Sequence, residues 1–340
     1  MASESSGICS VFTFSLPLIV MCRGSPFMHL LSVAPLWIPT AEAVPVTVAV
    51  TAIDELNASG YRDLFEAGVD HVILAGNWLG ADGSIIFPRE WMTIPLAEEI
   101  HNYAVKYNGS VSLGVVPQPF IVNSSSSSSL SDFAAKAQAT IEDYNADGLL
   151  FELWVKAVMP SGDQWKVVNN LTNITRTKLK SSRGYPATAS IMFGAESLSS
   201  SLWEDLKLHQ PWNYTDRDYC LLDTDSVDYK TQISVDWADR ITARLLNYSA
   251  NISHLSFTII PEGRYDDLTN AESYKTLIDA GAPVFGDGHF KDFYYNSQQQ
   301  IKEKAQLVRN RSLHGLSILF PAFDLPPNST SSLLHAALQG

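Results

Sequence analysis

Short apolar runs alternate with segments of helical periodicity from about residue 44 to the end of the chain. Several of these runs are continuously apolar, a pattern typical of strands that are buried on both faces. We predict eight strands, over Val46–Thr51, His71–Ala75, Val111–Val116, Gly148–Val155, Ala187–Phe193, Tyr219–Leu222, Leu255–Ile260 and Gly315–Phe320. Helices are predicted between them over Glu55–Ala67, Trp91–Tyr107, Ser131–Tyr144, Ser234–Asn247 and Ser297–Asn310.

The number of strands and their separation by helices predict an α/β fold, the (β/α)8 TIM barrel. The gap from Pro261 to His314 is longer than the others and indicates an insertion between strands seven and eight. The segment Asn123–Ser131 contains six consecutive serines, and we interpret it as a flexible polar loop after the third strand. No stretch rich in Pro or Gly divides residues 44–340, so we predict a single barrel domain there.

The N-terminal segment has the pattern of a targeting signal. Two apolar runs, Ile8–Cys22 and Phe27–Ile38, are followed by Ala41-Glu42-Ala43, a small-x-small sequence that signal peptidase prefers. Prolines keep both runs shorter than the roughly 20 residues of a membrane-spanning helix. We predict a signal peptide over residues 1–43 and a chain that is secreted or lies in the lumen of the endosome or lysosome. An uncleaved anchor is the alternative; after cleavage no stable membrane span is expected.

Glycosylation sequons also favour a chain that enters the secretory pathway. Ten of the 16 Asn residues are followed by x-Ser or x-Thr, which is more than the Ser and Thr content would give by chance. Each such position is expected to be exposed, because oligosaccharide is transferred to accessible loops and surfaces. The predicted N-glycosylation sites are Asn57, Asn108, Asn123, Asn170, Asn173, Asn213, Asn247, Asn251, Asn310 and Asn328.

Composition narrows the classes of function. With 36 Asp and Glu against 23 Lys and Arg, the net charge is −13, which disfavours a nucleic-acid partner. Cys220 is the one cysteine outside the predicted leader, so an intramolecular disulfide is excluded there. The histidines lack metal-ligand spacing, and no phosphate-binding glycine loop or Gly-x-Ser-x-Gly elbow occurs. We therefore predict neither a metal nor another cofactor.

The most informative stretch for function runs from Asp147 to Trp154. Alternate residues of a strand share a face, so Leu150, Glu152 and Trp154 are expected to project together toward the mouth of the barrel. A carboxylate inside an apolar run is costly unless it is paired or hydrogen-bonded. Glu152 is therefore either a structural partner inside the barrel or a group that contacts ligand.

This stretch resembles the fourth-strand signature of glycoside hydrolase family 18, the chitinases, which reads Asp-Gly-x-Asp-x-Asp-x-Glu. In that family the final Glu protonates the leaving oxygen and the preceding Asp orients the acetamido group of the substrate. Here Asp147 and Gly148 are kept, Leu150 stands at the inner Asp, Glu152 at the orienting Asp and Trp154 at the acid. An indole donates hydrogen bonds but transfers no proton at a useful pH. Some chitinase-like lectins of the family are similar in having Glu and Trp at these two positions.

The resemblance extends over roughly residues 45 to 335, with departures. The third strand of the family resembles Val115-Val116-Pro117, and its last strand resembles Gly315-Leu316-Ser317-Ile318. The insertion of the family resembles the segment Tyr274–Tyr295. The sixth strand of the family ends Met-x-Tyr-Asp, and of these only the Asp has a counterpart, Asp225. Leu319 stands where the family has the Trp that floors a sugar subsite. The resemblance therefore implies a sugar-binding cleft with an altered stacking surface.

Six side chains near predicted strand ends are the candidate ligand contacts: Glu152, Trp154, Asp225, Glu262, Trp78 and Gln118. Each has a structural alternative, namely packing at the barrel rim for the two Trp residues and a turn with Arg264 for Glu262. Asp147-Gly148 opens strand four at the opposite end and is interpreted as structural.

The pattern favours a non-catalytic protein that binds amino-sugar glycans such as chitooligosaccharides. One alternative is an active glycoside hydrolase that uses Glu152 as acid with a second carboxylate from Asp223, Asp225 or Glu262. A structural secreted glycoprotein with a vestigial cleft is the other. The family resemblance also implies a possible protein partner in sorting.

Overall fold

The computed structural model describes residues 43–340 except 89–90, 124–126, 155–158, 196–200 and 224–226, and the side chains of residues 123, 127 and 128 are also outside the description. The predicted signal peptide lies outside the described residues apart from Ala43. Within the described residues, no helix is both long enough and apolar enough to cross a membrane.

Eight parallel strands close into a barrel, which confirms the predicted (β/α)8 fold. The strands are β1 (Val46–Val50), β2 (His71–Leu79), β3 (Ser110–Val116), β4 (Gly148–Leu153), β5 (Thr188–Gly194), β6 (Arg217–Leu221), β7 (Leu255–Ile259) and β8 (Gly315–Leu319). Closure comes from β1, which pairs with β8 on one side and with β2 on the other. A two-residue strand, Ile85–Ile86, pairs antiparallel with the end of β2.

Helices surround this barrel. They are α1 (Ala58–Ala67), α2 (Ile94–Lys106), α3 (Gln118–Asn123), α4 (Ser127–Asp143), α5 (Gln164–Lys178), α6 (Ser201–His209), α7 (Tyr229–Gln232), α8 (Val235–Asn247), α9 (Tyr274–Asp279), α10 (Gln298–Arg311) and α11 (Leu333–Gln339). The five predicted helices are present, but α3, α5, α6, α7, α9 and α11 were not predicted. The Asn and Thr residues of α5 have low helix propensity, and packing of buried Trp165 and Leu171 outweighs it.

The polar loop predicted over Asn123–Ser131 is wrong for its described part. Asn123 ends α3, and α4 begins at Ser127, so the last serines of the run are helical. Serine is only mildly unfavourable in a helix. Phe133, Ala137 and Ile141 are fully buried along one side of α4, and this packing continues the helix toward its N-terminus.

The insertion predicted between strands seven and eight is a second, smaller sheet. It has four antiparallel strands, Glu262–Tyr265, Ala271–Ser273, His289–Phe290 and Phe293–Tyr295. Helix α9 follows the second of them, and the chain then passes through α10 into β8. The inserted sheet therefore starts directly from the carboxyl end of β7, at the mouth of the barrel.

Side chains of the barrel strands alternate between the barrel interior and the surrounding helices. In β4, Leu149, Phe151 and Leu153 join the large cluster formed with the surrounding helices, while Leu150 joins a smaller cluster inside the barrel. The inner cluster also contains Ala49, Ile73, Ala75, Met192, Tyr219, Leu221, Ile260 and Leu319. Trp154 is partly buried and packs against this inner cluster, so it faces the barrel interior.

The nine sequon asparagines whose side chains are described are all exposed. Asn123 is the tenth, and its side chain lies outside the description. Cys220 is a buried free thiol on β6. Exposure is the condition that glycosylation requires, and glycosylation itself stays a prediction.

Gly148 on β4 packs closely against the backbone of Thr188 on β5. A Cβ at this position would lie 2.2 Å from the carbonyl oxygen of Thr188 and 2.8 Å from its amide nitrogen. We expect Gly148→Ala to lower the free energy of unfolding by about 1–3 kcal/mol or more, because the barrel strands must separate to admit the methyl group. Urea denaturation followed by circular dichroism measures this change.

Gly60 provides the matched control for that substitution. It lies in α1, and its nearest contact for an added Cβ is the flexible side chain of Leu56 at 3.1 Å. Gly60→Ala should leave stability unchanged or raise it by up to about 1 kcal/mol, because alanine favours helix. Equal losses in the two variants would contradict the close approach at Gly148.

Candidate functional site

The carboxyl ends of the barrel strands carry the candidate site. Enzymes of this architecture place their active sites at this face, where the strand-to-helix loops meet. Of the six candidate residues, Asp225 lies outside the described residues. The remaining five are on β2, β4, the start of α3 and the first strand of the insertion.

Glu152 points into the barrel from β4 and is almost completely buried, with 2% of its surface exposed. Its Oε1 accepts a 2.6 Å hydrogen bond from the backbone N–H of Gly76. Its Oε2 accepts a 3.2 Å hydrogen bond from Nε1–H of Trp154. Burial raises the pKa of this carboxyl, and the two hydrogen bonds oppose that rise because they favour the ionised form.

Small residues make room for this carboxylate. A Cβ at Gly114 on β3 would lie 2.7 Å from Oε1 of Glu152 and 2.8 Å from Cα of Ala75. The side chain of Glu152 therefore occupies the space that a larger residue at position 114 would fill. Asn77 holds the end of β2 nearby, since its amide donates to the carbonyls of Leu74 and Gly114.

Trp154 belongs to an aromatic cluster at the mouth, formed with Phe320 and Phe323 at the end of β8. The rings of Trp154 and Phe320 meet edge to face, with centroids 6.4 Å apart and an angle of 75°. Phe320 and Phe323 follow at 5.6 Å. Phe320 has φ of 59°, a conformation that non-glycine residues adopt rarely. Sequence reasoning noted Phe320 only as the neighbour of Leu319, and the positive φ had no sequence signal.

A second polar group links the mouth to the insertion. Asp223 follows β6 and accepts a 2.7 Å hydrogen bond from the N–H of Ile260, while its Oδ1 is buried with no hydrogen-bond partner among the described residues. Glu262 forms a 2.6 Å ion pair with Arg264. Lys304 on α10 is fully buried, and its Nζ donates to the carbonyl of Ile233 and to Oδ1 of Asn296.

Burial sets the ionisation of this second group. Burial, together with the neighbouring carboxylate of Glu262, raises the pKa of Asp223 to about 7. Burial also lowers the pKa of Lys304 to about 8, against the attraction of Asp223. Glu262 is thus engaged with Arg264, and the described structure does not bring it into contact with Glu152.

Trp78 and Gln118 stand apart from the Glu152–Trp154 pair. Trp78 is 42% exposed at the end of β2 and pairs across the short hairpin with Ile86, which is also exposed. Gln118 begins α3 and is half-buried, with its Oε1 unpaired among the described residues. No described hydrogen bond or ring contact joins either side chain to Glu152 or Trp154.

An open depression of about 410 Å³ on the inserted sheet was not singled out by sequence reasoning. Tyr265, His289 and Tyr294 line it together with acidic residues and Lys291. The rings of His289 and Tyr294 are stacked at 4.6 Å. Within the described part of the chain, no cluster of three or more His, Cys, Asp or Glu side chains could hold a metal ion.

Several chitinases are among the solved structures that match this fold. A family GH18 chitinase from Flavobacterium johnsoniae superposes with a TM-score of 0.64 at 13% identity, covering 87% of this chain and 93% of that one. A chitinase from Rhizomucor miehei superposes with a TM-score of 0.65 at 15% identity, and the match covers 86% of this chain and 99% of that one. A group II chitinase domain of Ostrinia furnacalis superposes with a TM-score of 0.63 at 14% identity, and the match covers 86% of this chain and 95% of that one. No protein-family model and no curated protein sequence matches the chain.

The buried carboxyl of Glu152 should leave a signature in the pH dependence of stability. Its pKa is raised on folding, so its contribution to stability is fully present below the unfolded value of about 4.5 and is lost as the pH rises through the folded value. We expect the free energy of unfolding of wild type, relative to Glu152→Gln, to fall across that window. Denaturant unfolding at a series of pH values measures it.

The control for this experiment is Glu98→Gln, which removes an exposed carboxylate from α2. The fall in stability measured against Glu152→Gln should exceed any change measured against this control, because Glu98 is exposed and Glu152 is buried. If Glu152→Gln and wild type give parallel curves, the carboxyl of Glu152 does not carry a raised pKa.

Proposed function

We propose that this chain is a chitinase-like member of glycoside hydrolase family 18 that binds amino-sugar glycans and does not hydrolyse them. The observation that carries the proposal is the hydrogen bond from the indole of Trp154 to Glu152. In the family resemblance, the position of Trp154 belongs to the glutamic acid that protonates the leaving oxygen. An indole N–H is a donor only, so that step has no proton source at this position.

The glycan part of the proposal rests on three supports. The fold matches chitinases, and the Ostrinia furnacalis structure was determined in complex with penta-N-acetylchitooctaose. The aromatic cluster of Trp154, Phe320 and Phe323 lies at the mouth, where ring faces and edges can pack on sugar rings. Trp78 offers a further exposed ring on the same end of the barrel. These rings replace the sugar-stacking Trp that the resemblance leads one to expect at Leu319.

A narrower resemblance supports the absence of catalysis. The fourth strand, with Glu152 and Trp154, is similar to that of chitinase domain-containing protein 1, the stabilin-interacting chitinase-like lectin. We infer from this likeness a lectin-type function, with a protein partner in sorting as a further possibility of the same resemblance. The carboxylate of Glu152 then serves to orient the indole of Trp154 as part of the binding surface.

One observation favours the alternative of an active hydrolase. The raised pKa of Glu152 keeps its carboxyl protonated to higher pH than an exposed Glu, which is a property of general acids. Catalysis would also need a second carboxylate. Among the described residues, hydrogen bonds reach Glu152 from Gly76 and Trp154 alone. Asp225 lies outside the description, and Asp223 is engaged with the amide of Ile260.

Glycan binding should depend on the aromatic side chains at the mouth. We expect Trp154→Ala and Trp78→Ala each to weaken binding of a labelled chitooligosaccharide about three- to tenfold, because one aromatic contact contributes about 0.5–1.5 kcal/mol. Tyr185→Ala is the matched control, since Tyr185 is 71% exposed and precedes β5 at the opposite end of the barrel. Fluorescence titration on the secreted chain measures the dissociation constants.

The same preparations also decide between the alternatives. Unchanged affinity in both Trp variants would sink the assignment of the site. Hydrolysis of a fluorogenic N-acetylglucosamine oligomer by wild type, abolished in Glu152→Gln, would show instead that the chain is an enzyme. No binding to any amino-sugar glycan by wild type would leave the structural glycoprotein as the better description.

We also propose that the chain enters the secretory pathway, loses residues 1–43 and carries N-linked oligosaccharide. Expression of the full chain in secreting eukaryotic cells should give a protein in the medium that begins at Val44 by N-terminal sequencing. Peptide N-glycosidase should lower its apparent mass, because the nine described sequon asparagines are exposed. A chain retained in the cell membrane with an intact N-terminus would support an anchor instead.

A further inference from the structure

The amino ends of the barrel strands carry a second group of basic side chains, at the face opposite to the proposed glycan site. Going around the closed sheet, the strands run β2, β1, β8, β7 and β6. His71 is the first residue of β2, His314 directly precedes β8, His254 directly precedes β7, and Arg217 is the first residue of β6. Four of these five adjacent strands thus have a basic residue at their first position or directly before it. We call these four residues the basic ring.

Two members of the basic ring point toward the barrel axis. His71 alternates with Ile73 and Ala75, and Arg217 alternates with Tyr219 and Leu221, all of which belong to the inner cluster. His71 is buried, and its Nδ1 lies 2.7 Å from Oγ of Ser110. Arg217 is half-buried. These two side chains therefore approach the same space at the base of the barrel from different strands.

The guanidinium of Arg217 has no ion pair within the described part of the chain. The carboxylates at this end have other partners. Asp147 and Asp216 form ion pairs with Arg183 and Arg176 and also accept from the N–H groups of Val111 and Ala189. Asp70 accepts from the N–H of Val46, and Asp218 accepts from the hydroxyl of Thr215. A half-buried cation without a counter-ion is costly, more so when its neighbours are also basic. The cost falls when an anion binds beside it.

Unpaired hydroxyl groups lie beside the basic ring and just above it. Ser112, Ser256 and Ser317 face the barrel interior, since their neighbours in sequence join the outer cluster. Their Oγ atoms are buried with no hydrogen-bond partner among the described residues. Ser317 and His71 are register partners of the same residue, Thr47, which places them at one level of the barrel. Hydroxyl donors beside a guanidinium fork make a suitable environment for an oxyanion.

We propose that the basic ring at the base of the barrel binds a small doubly charged oxyanion, inorganic phosphate or sulfate, with Arg217 as its principal ligand. The planar guanidinium can donate two parallel hydrogen bonds to such an anion. His71 and His314 add charge when they are protonated, and the unpaired serine hydroxyls can donate from above. The site is at the opposite end of the barrel from Glu152 and does not rest on the proposed glycan-binding function.

Protonation of the histidines makes the affinity of the site for an anion depend on pH. The pKa of His314 is lowered to about 4 by burial and by the nearby Arg217 and His254. The pKa of His71 is lowered by burial and by the nearby Arg217 and His314. Besides these groups, the buried carboxyl of Asp218 is on β6, where burial raises its pKa to about 7. A bound anion favours the imidazolium form of His71 and His314. Binding therefore takes up protons, and affinity should rise as the pH falls.

Calorimetric titration of the secreted chain with sodium sulfate tests the proposal. Sulfate keeps its charge between about pH 5.5 and about pH 7.5, so a change in affinity over that range reports the protein. We expect saturable binding with a single site, at least threefold tighter at the lower pH, and an equal result with phosphate at the higher pH. Sodium chloride at matched ionic strength should not compete. Absence of saturable heat at either pH overturns the proposal.

Variants locate the site. Arg217→Gln should abolish the sulfate-dependent rise in melting temperature, while Lys178→Gln, which removes an exposed charge at the end of α5, should keep it. If Arg217→Gln does not fold, Arg217→Lys should bind at least threefold more weakly than wild type, and His314→Gln should reduce the pH dependence. Equal stabilisation of wild type, of His314→Gln and of every Arg217 variant that folds would show a general salt effect and overturn the assignment.

Discussion

A carboxylate enclosed by the barrel wall is the constraint on which the mouth of this protein depends. Glu152 is buried, so its two oxygens must be satisfied from within the fold. One is held by the backbone of Gly76 on a strand that lies far away in sequence, and the other by the indole of Trp154 two residues on. Gly114 and Ala75 are small because the carboxylate fills the space beside them. Three barrel strands are thus fixed relative to one another around a single side chain.

This constraint also gives the indole of Trp154 a chemical role. A glutamic acid at position 154 would place two carboxyl groups two residues apart on the same face of the strand, and one could hold a proton for the other. The indole supplies a donor that satisfies the carboxylate of Glu152 instead. The pair is a hydrogen bond between two fixed groups. The edge-to-face contact of Trp154 with Phe320 connects this pair to the end of β8.

Strand periodicity predicted much of this arrangement, and its limits follow from the range of the interactions. Short apolar runs were enough to place eight strands. The two-residue period of a strand was enough to direct Leu150, Glu152 and Trp154 inward, because side-chain direction is local to the strand. The partner of Glu152 could not be predicted, because Gly76 reaches it only through barrel closure. The burial of Lys304 near Asp223 depends in the same way on α10 returning to the mouth. Helix α5 was missed because tertiary packing outweighs its weak propensity.

The interior of the barrel separates the two ends chemically. Leu150, Met192, Leu221 and Leu319 form an apolar layer between the carboxylate at the mouth and the basic ring at the base. Such interiors are packed cores and not pores, so packed side chains separate the two ends. The carboxylates at the mouth and the imidazoles at the base therefore titrate with little direct interaction. Acidification neutralises Glu152 and Asp223 and charges His71 and His314, so the balance of stability with pH is a sum over two distant sites. The apolar layer inside the barrel is what permits one fold to hold both.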